Sequence, residues 1–423
     1  MAYALSILLI IGFITLIAFY IRGSFRRQAQ FRLIGLPATS NHFAETVASL
    51  SDSHATSGAV KQFWSHVDDI QSARLQAIAQ AQHSIFFETF IMTPGRRADA
   101  FKDSLCAQAQ AGVQVQILVD SYGAKSLPSD YWRTLSNAGA EIRFFNPFSW
   151  RDPISYLRRN HRKLLIIDQA FALIGGAGIS DMWDGIESEG EAIAWYDFEV
   201  QWQGELVGLL TGLFFQHWLD AGGEVNLNDL DPKRSEVEQS YPIIITPGED
   251  PTPSDSSIRS LLQLCILSAQ KRIWIASPYL LPEPKTCQMV ADICKKGIEV
   301  RILTMGPQND KPYVYYVSRE RYKPLLKSGV KIHEYQPSMM HAKVILIDDH
   351  WVSMGSANFD PRSFFHNDEL NICTSHATLV HNIENFFEEA FQKSHCVDFK
   401  EWSDRPLQER AYGKLGSAFY WQL

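Results

Sequence analysis

An internal repeat limits how this chain can fold more than any other feature of its sequence. Four segments of the first half recur in the second half, in the same order and at nearly constant spacing. The pairs are AQHSIFFETFIMTP at 81–94 with AQKRIWIASPYLLP at 269–282, GVQVQIL at 112–118 with GIEVRIL at 297–303, NAGAEIRFFNP at 137–147 with KSGVKIHEYQP at 327–337, and NHRKLLIID at 160–168 with MHAKVILID at 340–348. Because both order and spacing are kept, we predict two copies of one domain.

Each copy alternates helical and strand-like patterns. In the first copy, helical spacing at 62–82, 98–111 and 129–138 alternates with the apolar strand patterns SIFFETFIM, VQVQILVD and EIRFF. Helices that alternate with apolar strands are typical of an α/β domain with a largely parallel or mixed sheet. We therefore predict two duplicated α/β domains, each a mixed β-sheet flanked by helices, related by a pseudo-twofold axis.

Polar segments mark the predicted domain boundaries. The first copy is expected at 61–226 and the second at 241–423, joined by a linker at 227–240 that is polar and contains a proline. Residues 23–60 are also expected to be a linker, because much of this segment is rich in Ser, Thr, Ala and His and has no clear period. The segment GEDPTPSDSS at 248–257 is predicted to be a surface loop.

The uncharged run AYALSILLIIGFITLIAFYI at 2–21 differs from everything after it. As a helix it would be about 30 Å long, which matches the hydrocarbon core of a bilayer. Tyr3 and Tyr20 lie at its ends, where aromatic rings prefer the membrane interface, and basic residues follow it: Arg22, Arg26, Arg27 and Arg32. We predict an uncleaved transmembrane anchor at 1–22 with the body in the cytoplasm, rather than a cleaved signal peptide, which needs a basic start, or a buried helix, which needs a polar face.

The charge balance argues against nucleic acid as the partner. The chain has 39 Lys and Arg against 47 Asp and Glu, a formal net charge of -8. Such a chain has no long-range attraction for a polyanion, so an anionic substrate must be drawn in locally. The six cysteines form no C-x-x-C pair, and in a chain of this size they are expected to be reduced and mostly buried.

The repeated segments HRKLLIID and HAKVILID place polar side chains around a short apolar strand. Alternation along the strand is expected to bring His161, Lys163 and Asp168 near one sheet edge, where α/β domains build their sites. Histidine can act as a free base or as an acid near neutral pH, and lysine can hold the oxygens of a phosphate. Two such sets facing one cleft would put a histidine on each side of a phosphodiester, one to attack phosphorus and one to protonate the leaving alcohol, without a metal.

Both segments match the H-x-K-x(4)-D motif of the phospholipase D superfamily, and the second continues into GSANFDPRS at 355–363. The chain resembles this superfamily, and most of all its bacterial cardiolipin synthases, over roughly residues 60–395. The resemblance implies two phospholipase D-like domains and a phosphatidyltransferase without a cofactor. It would condense two phosphatidylglycerol molecules to cardiolipin and glycerol through a phosphatidyl-histidine intermediate, with its catalytic body on the cytoplasmic side of the bacterial inner membrane.

The resemblance also implies residue roles. His161 would be the nucleophile and His341 the general acid and base, although the sequence does not settle which is which. The phosphate oxygens would be held by four residues: Lys163, Lys343, Ser356 and Asn358. Asp168 and Asp348 belong to the catalytic motif, but a charged residue that closes a strand could equally fix a turn.

Each imidazole needs an acidic partner to fix its tautomer. In the family, acidic residues downstream of each motif do this, and the matching positions here are Asp197 and Glu369. Three other acidic residues would serve the same chemistry: Glu189, Glu191 and Asp368.

The first copy departs from the family pattern after its motif. The second copy has Gly355-Ser356-Ala357-Asn358, whereas the first has Gly175-Gly176-Ala177-Gly178. A neutral phosphate donor is therefore missing from one half, and Ser180, a backbone amide or a water could replace it.

Two rival functions share these motifs. A phospholipase D-type phosphodiesterase would transfer to water or cut nucleic acid, and a nonenzymatic membrane scaffold would keep a degenerate site. The net charge and the predicted anchor favour lipid.

Two further segments have an open role: RRNHRK at 158–163 could bind lipid headgroups or be a solvated loop, and AFYWQL at 418–423 could lie at the membrane interface or dock on the core.

Overall fold

The structure, a computed structural model, describes residues 2–21, 36–151, 155–185, 187–188, 191–226, 237–249 and 256–423. The basic cluster after the predicted anchor, Glu189 and residues 227–236 of the predicted linker lie outside these ranges. The helices are α1 (Ala2–Ile21), α2 (Phe43–Leu50), α3 (Val67–Gln80), α4 (Arg96–Gln110), α5 (Ser129–Asn137), α6 (Leu206–Asp220), α7 (Ser257–Ser268), α8 (Pro284–Lys295), α9 (Pro312–Glu320), α10 (Tyr322–Lys327), α11 (Pro361–Phe365), α12 (Ala377–Gln392), α13 (Phe399–Ser403) and α14 (Leu407–Gly416). The strands are β1 (His54–Trp64), β2 (Ser84–Thr89), β3 (Gln114–Asp120), β4 (Glu141–Phe145), β5 (Arg159–Asn160), β6 (Leu164–Ile167), β7 (Phe171–Gly175), β8 (Glu187–Ser188), β9 (Glu191–Ala192), β10 (Glu199–Gln203), β11 (Tyr241–Gly248), β12 (Arg272–Ala276), β13 (Glu299–Met305), β14 (Lys331–Tyr335), β15 (Val344–Ile347), β16 (Trp351–Gly355), β17 (Asn367–Thr374) and β18 (Ser394–Cys396).

The two copies build the same mixed sheet. The strand order is β4-β3-β2-β6-β7-β10-β1 in the first copy and β14-β13-β12-β15-β16-β17-β11 in the second, where β18 adds an outer strand. The three strands from β2 to β4, and their counterparts from β12 to β14, are parallel, and the other pairs in these two orders are antiparallel. The antiparallel pair β1–β11 joins the two sheets into one, so the strand order is the same from either end towards the middle.

Strand β1 corrects the prediction that 23–60 is a linker and that a helix begins at residue 62. Its first half pairs with β11, from His54 opposite Ile245, and its second half pairs with β10, as far as Trp64 opposite Glu199. Helix α2 lies just before it, and helix α3 begins only at Val67. Because β1 has a strand on both sides, its conformation is fixed by pairing with distant segments, which its own composition does not reveal.

A shared core holds the two copies together. Helices α6 and α12 occupy equivalent places and contribute Phe214, Trp218, Phe386 and Phe387 to one cluster with strand residues of both copies. The strands β2, β6 and β15 are buried along their whole length, as expected for strands covered on both faces. The ends of these strands are therefore rigid supports for the loops that follow them.

The predicted transmembrane helix is not confirmed. The run at 2–21 does form helix α1. Within the described ranges, however, no helix has the length and apolar character needed to cross a membrane.

The C-terminal tail docks on the core, the second of its two predicted alternatives. Tyr420 and Trp421 are buried, and the hydroxyl of Tyr420 donates a hydrogen bond to the carbonyl of Leu281 at 3.0 Å. Phe419 alone among the tail aromatics is exposed.

Candidate active site

The two repeated motifs lie at matching edges of the joined sheet. His161 and Lys163 come directly before β6, which runs antiparallel to β2, so they lie at the edge where the parallel strands β2 to β4 end. His341 and Lys343 have the same relation to β15 and β12. All four side chains are buried.

The backbone of each motif is bound to the other copy. The N–H of His161 donates to the carbonyl of Asp368 at 2.8 Å, and the N–H of His341 donates to the carbonyl of Tyr196 at 2.8 Å. Strand β5 is parallel to the start of β17, with Asn160 opposite Asp368. Each motif thus lies against the segment that leads to the acidic residue of the opposite copy.

The histidine-carboxylate pairs cross between the copies. Nδ1 of His161 lies 2.9 Å from Oε2 of Glu369, and Nδ1 of His341 lies 3.0 Å from Oδ2 of Asp197. The two acidic residues predicted as partners are therefore the ones that contact the imidazoles, but each contacts the histidine of the other copy. Neither copy holds a complete pair, which explains physically why the chain contains the arrangement twice.

Hydroxyl groups stabilise the carboxylate of Glu369. The hydroxyl of Ser356 donates to Oε2 at 2.5 Å, and the hydroxyl of Ser363 donates to Oε1 at 2.7 Å. Burial by itself would raise the pKa of this carboxyl, but His161 and the two hydroxyls outweigh it and hold the pKa below its usual value. Ser356 has a single hydroxyl hydrogen and gives it to Glu369, so its place differs from the predicted phosphate contact.

Burial favours the neutral form of both imidazoles. Burial lowers the pKa of His161 to about 4 and that of His341 to about 3. A neutral imidazole that donates its Nδ1 hydrogen to a carboxylate keeps a free lone pair on Nε2. The lone pair of His161 is therefore arranged to attack, whereas Nε2 of His341 lies 3.0 Å from Nζ of Lys343, from which it can accept a hydrogen.

The two sets form one electrostatic site. The charge of Lys343 lowers the pKa of His161 further, and the charge of Lys163 does the same for His341. Burial also lowers the pKa of Lys163 to about 8 and that of Lys343 to about 7. Burial therefore disfavours the charged form of both lysines, and a phosphate anion beside them would favour it.

Asp168 and Asp348 lie away from these four side chains, which corrects the expectation that the whole motif meets at one edge. Each aspartate follows the far end of its strand, five residues beyond the lysine, or about 16 Å at 3.3 Å per residue. Both have a left-handed backbone, with φ of 51° and 49°, and both carboxylates accept backbone N–H groups from the loop before the neighbouring strand. The donors are Gln82, His83 and Ser84 for Asp168, and Gln270, Lys271 and Arg272 for Asp348. The predicted alternatives for these aspartates were a role in the catalytic motif and the fixing of a turn. These contacts favour the second.

The glycines of the first copy leave no space for the missing donor. A Cβ on Gly178 would lie 2.9 Å from the carbonyl oxygen of Ile91, and one on Gly176 would lie 2.2 Å from Oδ1 of Asp197. Ser180 is engaged elsewhere, because Thr93 donates to its Oγ at 2.6 Å. In the second copy the side-chain oxygen of Asn358 is buried and has no partner within the described part of the chain, and only the NH₂ group of this side chain could donate to a phosphate.

The basic segment 158–163 is bound internally, unlike either alternative predicted for it. Arg158 makes a two-point hydrogen bond to Asp368 at 2.8 and 2.6 Å, and the fully buried Arg162 donates to Glu249 at 2.5 Å. Asp368 is therefore committed to an arginine and does not orient a motif histidine. Of the other acidic alternatives, Glu189 lies outside the described residues, and nothing is described of the Glu191 side chain.

Sequence reasoning missed a buried network behind the site. His217 of α6 lies 2.6 Å from Glu88 through Nδ1 and 3.0 Å from Asp368 through Nε2. Asn160, next to His161, also donates to Glu88 at 2.8 Å. A glutamate inside the apolar run SIFFETFIM was the available signal, because a buried charge needs a partner.

Comparison with known proteins matches both copies to one protein family. The family model described as "Cardiolipin synthase, PLD-like domain" matches twice, at 75–203 and 262–391. Cardiolipin synthase 1 of Bacillus anthracis is 30% identical over 387 residues, which cover 89% of this chain and 75% of that protein. The cardiolipin synthase of Alkalihalophilus pseudofirmus is 32% identical over 342 residues, which cover 79% of this chain and 67% of that protein.

A solved structure shares the fold. The phosphatidylserine synthase of Haemophilus influenzae superposes with a TM-score of 0.67 at 13% identity, covering 90% of this chain and 100% of that one. The likeness includes both copies. The two matches of the family model and the 30–32% identical relatives show that the chain belongs to the phospholipase D-like family of cardiolipin synthases, whose enzyme class is phosphatidyltransferase.

Proposed function

We propose that this protein condenses two phosphatidylglycerol molecules to cardiolipin and glycerol. Two crossed contacts carry this proposal: His161 with Glu369 at 2.9 Å, and His341 with Asp197 at 3.0 Å. They orient two imidazoles beside two lysine side chains, with Nε2 of His341 3.0 Å from Nζ of Lys343. A phosphodiester exchange needs a nucleophile, a proton donor and cationic support for the oxygens, and these four side chains supply all three.

In the first half of the reaction, Nε2 of His161 attacks the phosphorus of one phosphatidylglycerol. The bond from phosphorus to the headgroup glycerol oxygen breaks, and that oxygen takes a proton from His341. The products are free glycerol and a phosphatidyl group on His161. His341 must enter this step protonated, and the anionic phosphodiester favours that form because a nearby negative charge raises the pKa of an imidazole.

In the second half, His341 acts as a base. It takes the proton from a headgroup hydroxyl of a second phosphatidylglycerol, whose oxygen attacks phosphorus. The phosphorus-nitrogen bond to His161 breaks, cardiolipin leaves, and His161 recovers its lone pair. His341 ends the cycle protonated, as it began.

Two lysines and one amide would hold the phosphate during both steps. Lys163 and Lys343 are buried, and burial lowers the pKa of each, so a phosphate anion beside them would favour their protonated form. Asn358 would contribute the NH₂ group of its amide as a neutral donor to a phosphate oxygen. Charged and neutral groups placed before the substrate arrives stabilise the charge that develops on the oxygens.

Attachment to lipid would come from helix α1. Its large apolar side chains are exposed, from 41% at Ile17 to 88% at Tyr3, and soluble proteins rarely leave so large an apolar surface in water. Sedimentation with phosphatidylglycerol vesicles tests this: the full chain should pellet, and a chain that begins at residue 36 should remain in the supernatant. Equal pelleting of the two chains would contradict a role for α1.

The transfer is tested with phosphatidylglycerol labelled in its headgroup glycerol. Cardiolipin and free labelled glycerol are expected in equal amounts. Phosphatidic acid in place of cardiolipin would indicate a hydrolase, and no product would indicate a scaffold. His161→Ala and His341→Ala should each abolish the reaction, whereas His350→Ala, in an exposed turn, should not.

A further inference from the structure

The residue at position 183 is the counterpart of Ser363. Trp183 follows His161 by the same number of positions as Ser363 follows His341. Each lies in the short helix that follows the second strand after its motif histidine: Trp183 in the 3₁₀ turn Asp181–Asp184, capped by Ser180, and Ser363 in α11, capped by Asp360. The two positions are therefore equivalent in the duplicated fold.

These equivalent positions make equivalent contacts. The hydroxyl of Ser363 donates to the carboxylate of Glu369 at 2.7 Å. The indole Nε1 of Trp183 donates to Oδ2 of Asp197 at 3.2 Å, and this oxygen is also the one nearest Nδ1 of His341. Each position thus donates to the carboxylate that orients a motif histidine.

The size of the donor matches the length of the acid. Aspartate is one methylene shorter than glutamate, and indole reaches farther than a serine hydroxyl. The indole is 1% exposed, and its ring meets the edge of the His341 ring at 5.2 Å.

The two glycines fit the same arrangement. A Cβ at Gly178 would lie 3.1 Å from Cη2 of Trp183, and a Cβ at Gly176 would meet the carboxylate of Asp197 at 2.2 and 2.6 Å. Serine and asparagine occupy these places in the second copy, where the donor at the equivalent position is small. In the first copy, glycine at both positions leaves room for the indole of Trp183 and for the carboxylate of Asp197.

We propose that Trp183 is a positioning residue for His341: its indole N–H holds the carboxylate of Asp197 in the rotamer that receives the His341 Nδ1 hydrogen, in place of the serine hydroxyls used in the second copy. In the first copy an indole N–H therefore replaces the serine hydroxyls, and the departure from the family pattern there does not make this half of the site degenerate. The inference rests on the proposed function, because positioning of His341 matters for catalysis only if His341 transfers protons.

Trp183→Phe is the direct test, because it removes the N–H and keeps an aromatic ring. We expect kcat for cardiolipin formation to fall about 10- to 100-fold, the range for loss of one buried donor to a charged group. KM for phosphatidylglycerol should stay within about twofold, since Trp183 does not touch the phosphate. The pH limb assigned to His341 should move to higher pH, because a carboxylate that lacks a donor holds its negative charge nearer the imidazole and favours imidazolium.

Trp218→Phe is the matched control. Its indole is also fully buried and donates a hydrogen bond, to the carbonyl of Glu224 at 3.2 Å, but it lies in α6 away from the motif histidines. It should lower the melting temperature without moving the pH limb. A kcat for Trp183→Phe within twofold of wild type, or a lower kcat with an unmoved limb, overturns the proposal.

A rescue experiment covers the case in which the indole is needed for folding. Trp183→Ser alone should be poorly active because its hydroxyl is too short to reach Asp197. Adding Asp197→Glu to Trp183→Ser copies the pair of the second copy and should recover at least tenfold in kcat; no recovery in a folded double variant counts against the proposal. If the wild-type protein makes no cardiolipin, the proposed function fails. Nitrogen NMR can then still measure the titration of the His341 ring in wild type and in Trp183→Phe. A difference between the two would show that Trp183 acts on His341, and equal titration would overturn the proposal.

Discussion

Glu369→Gln is the sharpest perturbation of the crossed geometry, because it changes the charge and hardly changes the volume. The carboxylate of Glu369 is fully buried and accepts hydrogen bonds on both oxygens. Oε2 receives His161 and Ser356, at 2.9 and 2.5 Å, and Oε1 receives Ser363 at 2.7 Å. A glutamine amide has only one oxygen, so its NH₂ group must face a group that now donates.

The magnitude depends on which way the amide turns. If the NH₂ group faces His161, the ring must accept at Nδ1 and carry its hydrogen on Nε2, which removes the attacking lone pair; a wrong tautomer costs on the order of 10⁴-fold. If it faces Ser363, the hydroxyl can rotate to accept, and only the charge that stabilises the developing phosphatidyl-imidazole is lost, about 10²-fold. We therefore expect formation of the intermediate to slow by about 10² to 10⁴-fold.

A single-turnover assay isolates this step. Enzyme in excess over headgroup-labelled phosphatidylglycerol releases labelled glycerol at the rate at which phosphatidyl-His161 forms. Glu283→Gln is the control, because Glu283 is equally buried and is bound to Arg259 but takes no part in the site; per folded molecule it should release glycerol at the wild-type rate. A release rate for Glu369→Gln within tenfold of wild type would refute the reasoning from the crossed pair.

Three further predictions follow from single contacts. Asp168→Ala removes the acceptor of three backbone N–H groups and should destabilise the fold by about 1–3 kcal/mol while kcat is kept, which thermal unfolding and the transferase assay check together. Asn358→Ala should lower kcat about 10-fold without a change in melting temperature, because its amide oxygen has no partner within the described residues; an unchanged kcat would remove it from the site. The pKa of His161 is lowered from 6.5 to about 4, so stability should rise with pH between those values, because in that window the unfolded chain binds a proton that the folded chain does not; urea unfolding at pH 5 and pH 7 measures this, and equal stabilities would contradict the burial argument.

The sequence was enough to predict features that depend on local pattern and on repetition. Two α/β domains and two histidine-lysine sets follow from the repeat, because the position of a residue beside a strand is a local property. Asp197 and Glu369 were also predicted as the histidine partners. Which histidine each one contacts could not be predicted, since that depends on how β1 and β11 join the two sheets.

Other misses have the same physical origin. The basic residues of 158–163 look solvent-facing in a linear pattern, yet Arg158 and Arg162 find acidic partners that lie far away in the chain. Asp168 was placed with His161 because alternation gives the face of a strand and says nothing about which end of the strand a residue occupies. In each case a long-range partner, rather than local preference, decided the outcome.

The crossed pairs also explain why the two halves of a duplicated site can differ. In the proposed mechanism one histidine bears a covalent phosphatidyl group, and the other only exchanges protons. The carboxylate beside His161 has two serine donors, which suits a partner that must balance a positively charged phosphatidyl-imidazole. The carboxylate beside His341 receives the indole N–H of Trp183 on Oδ2 and the backbone N–H of Phe198 on Oδ1. The two carboxylates therefore differ in the kind of donor that holds them. Because each carboxylate belongs to the opposite copy, this difference is built by both copies together, and a change to Asp197 should alter proton transfer at His341 while the contacts of His161 remain as they are.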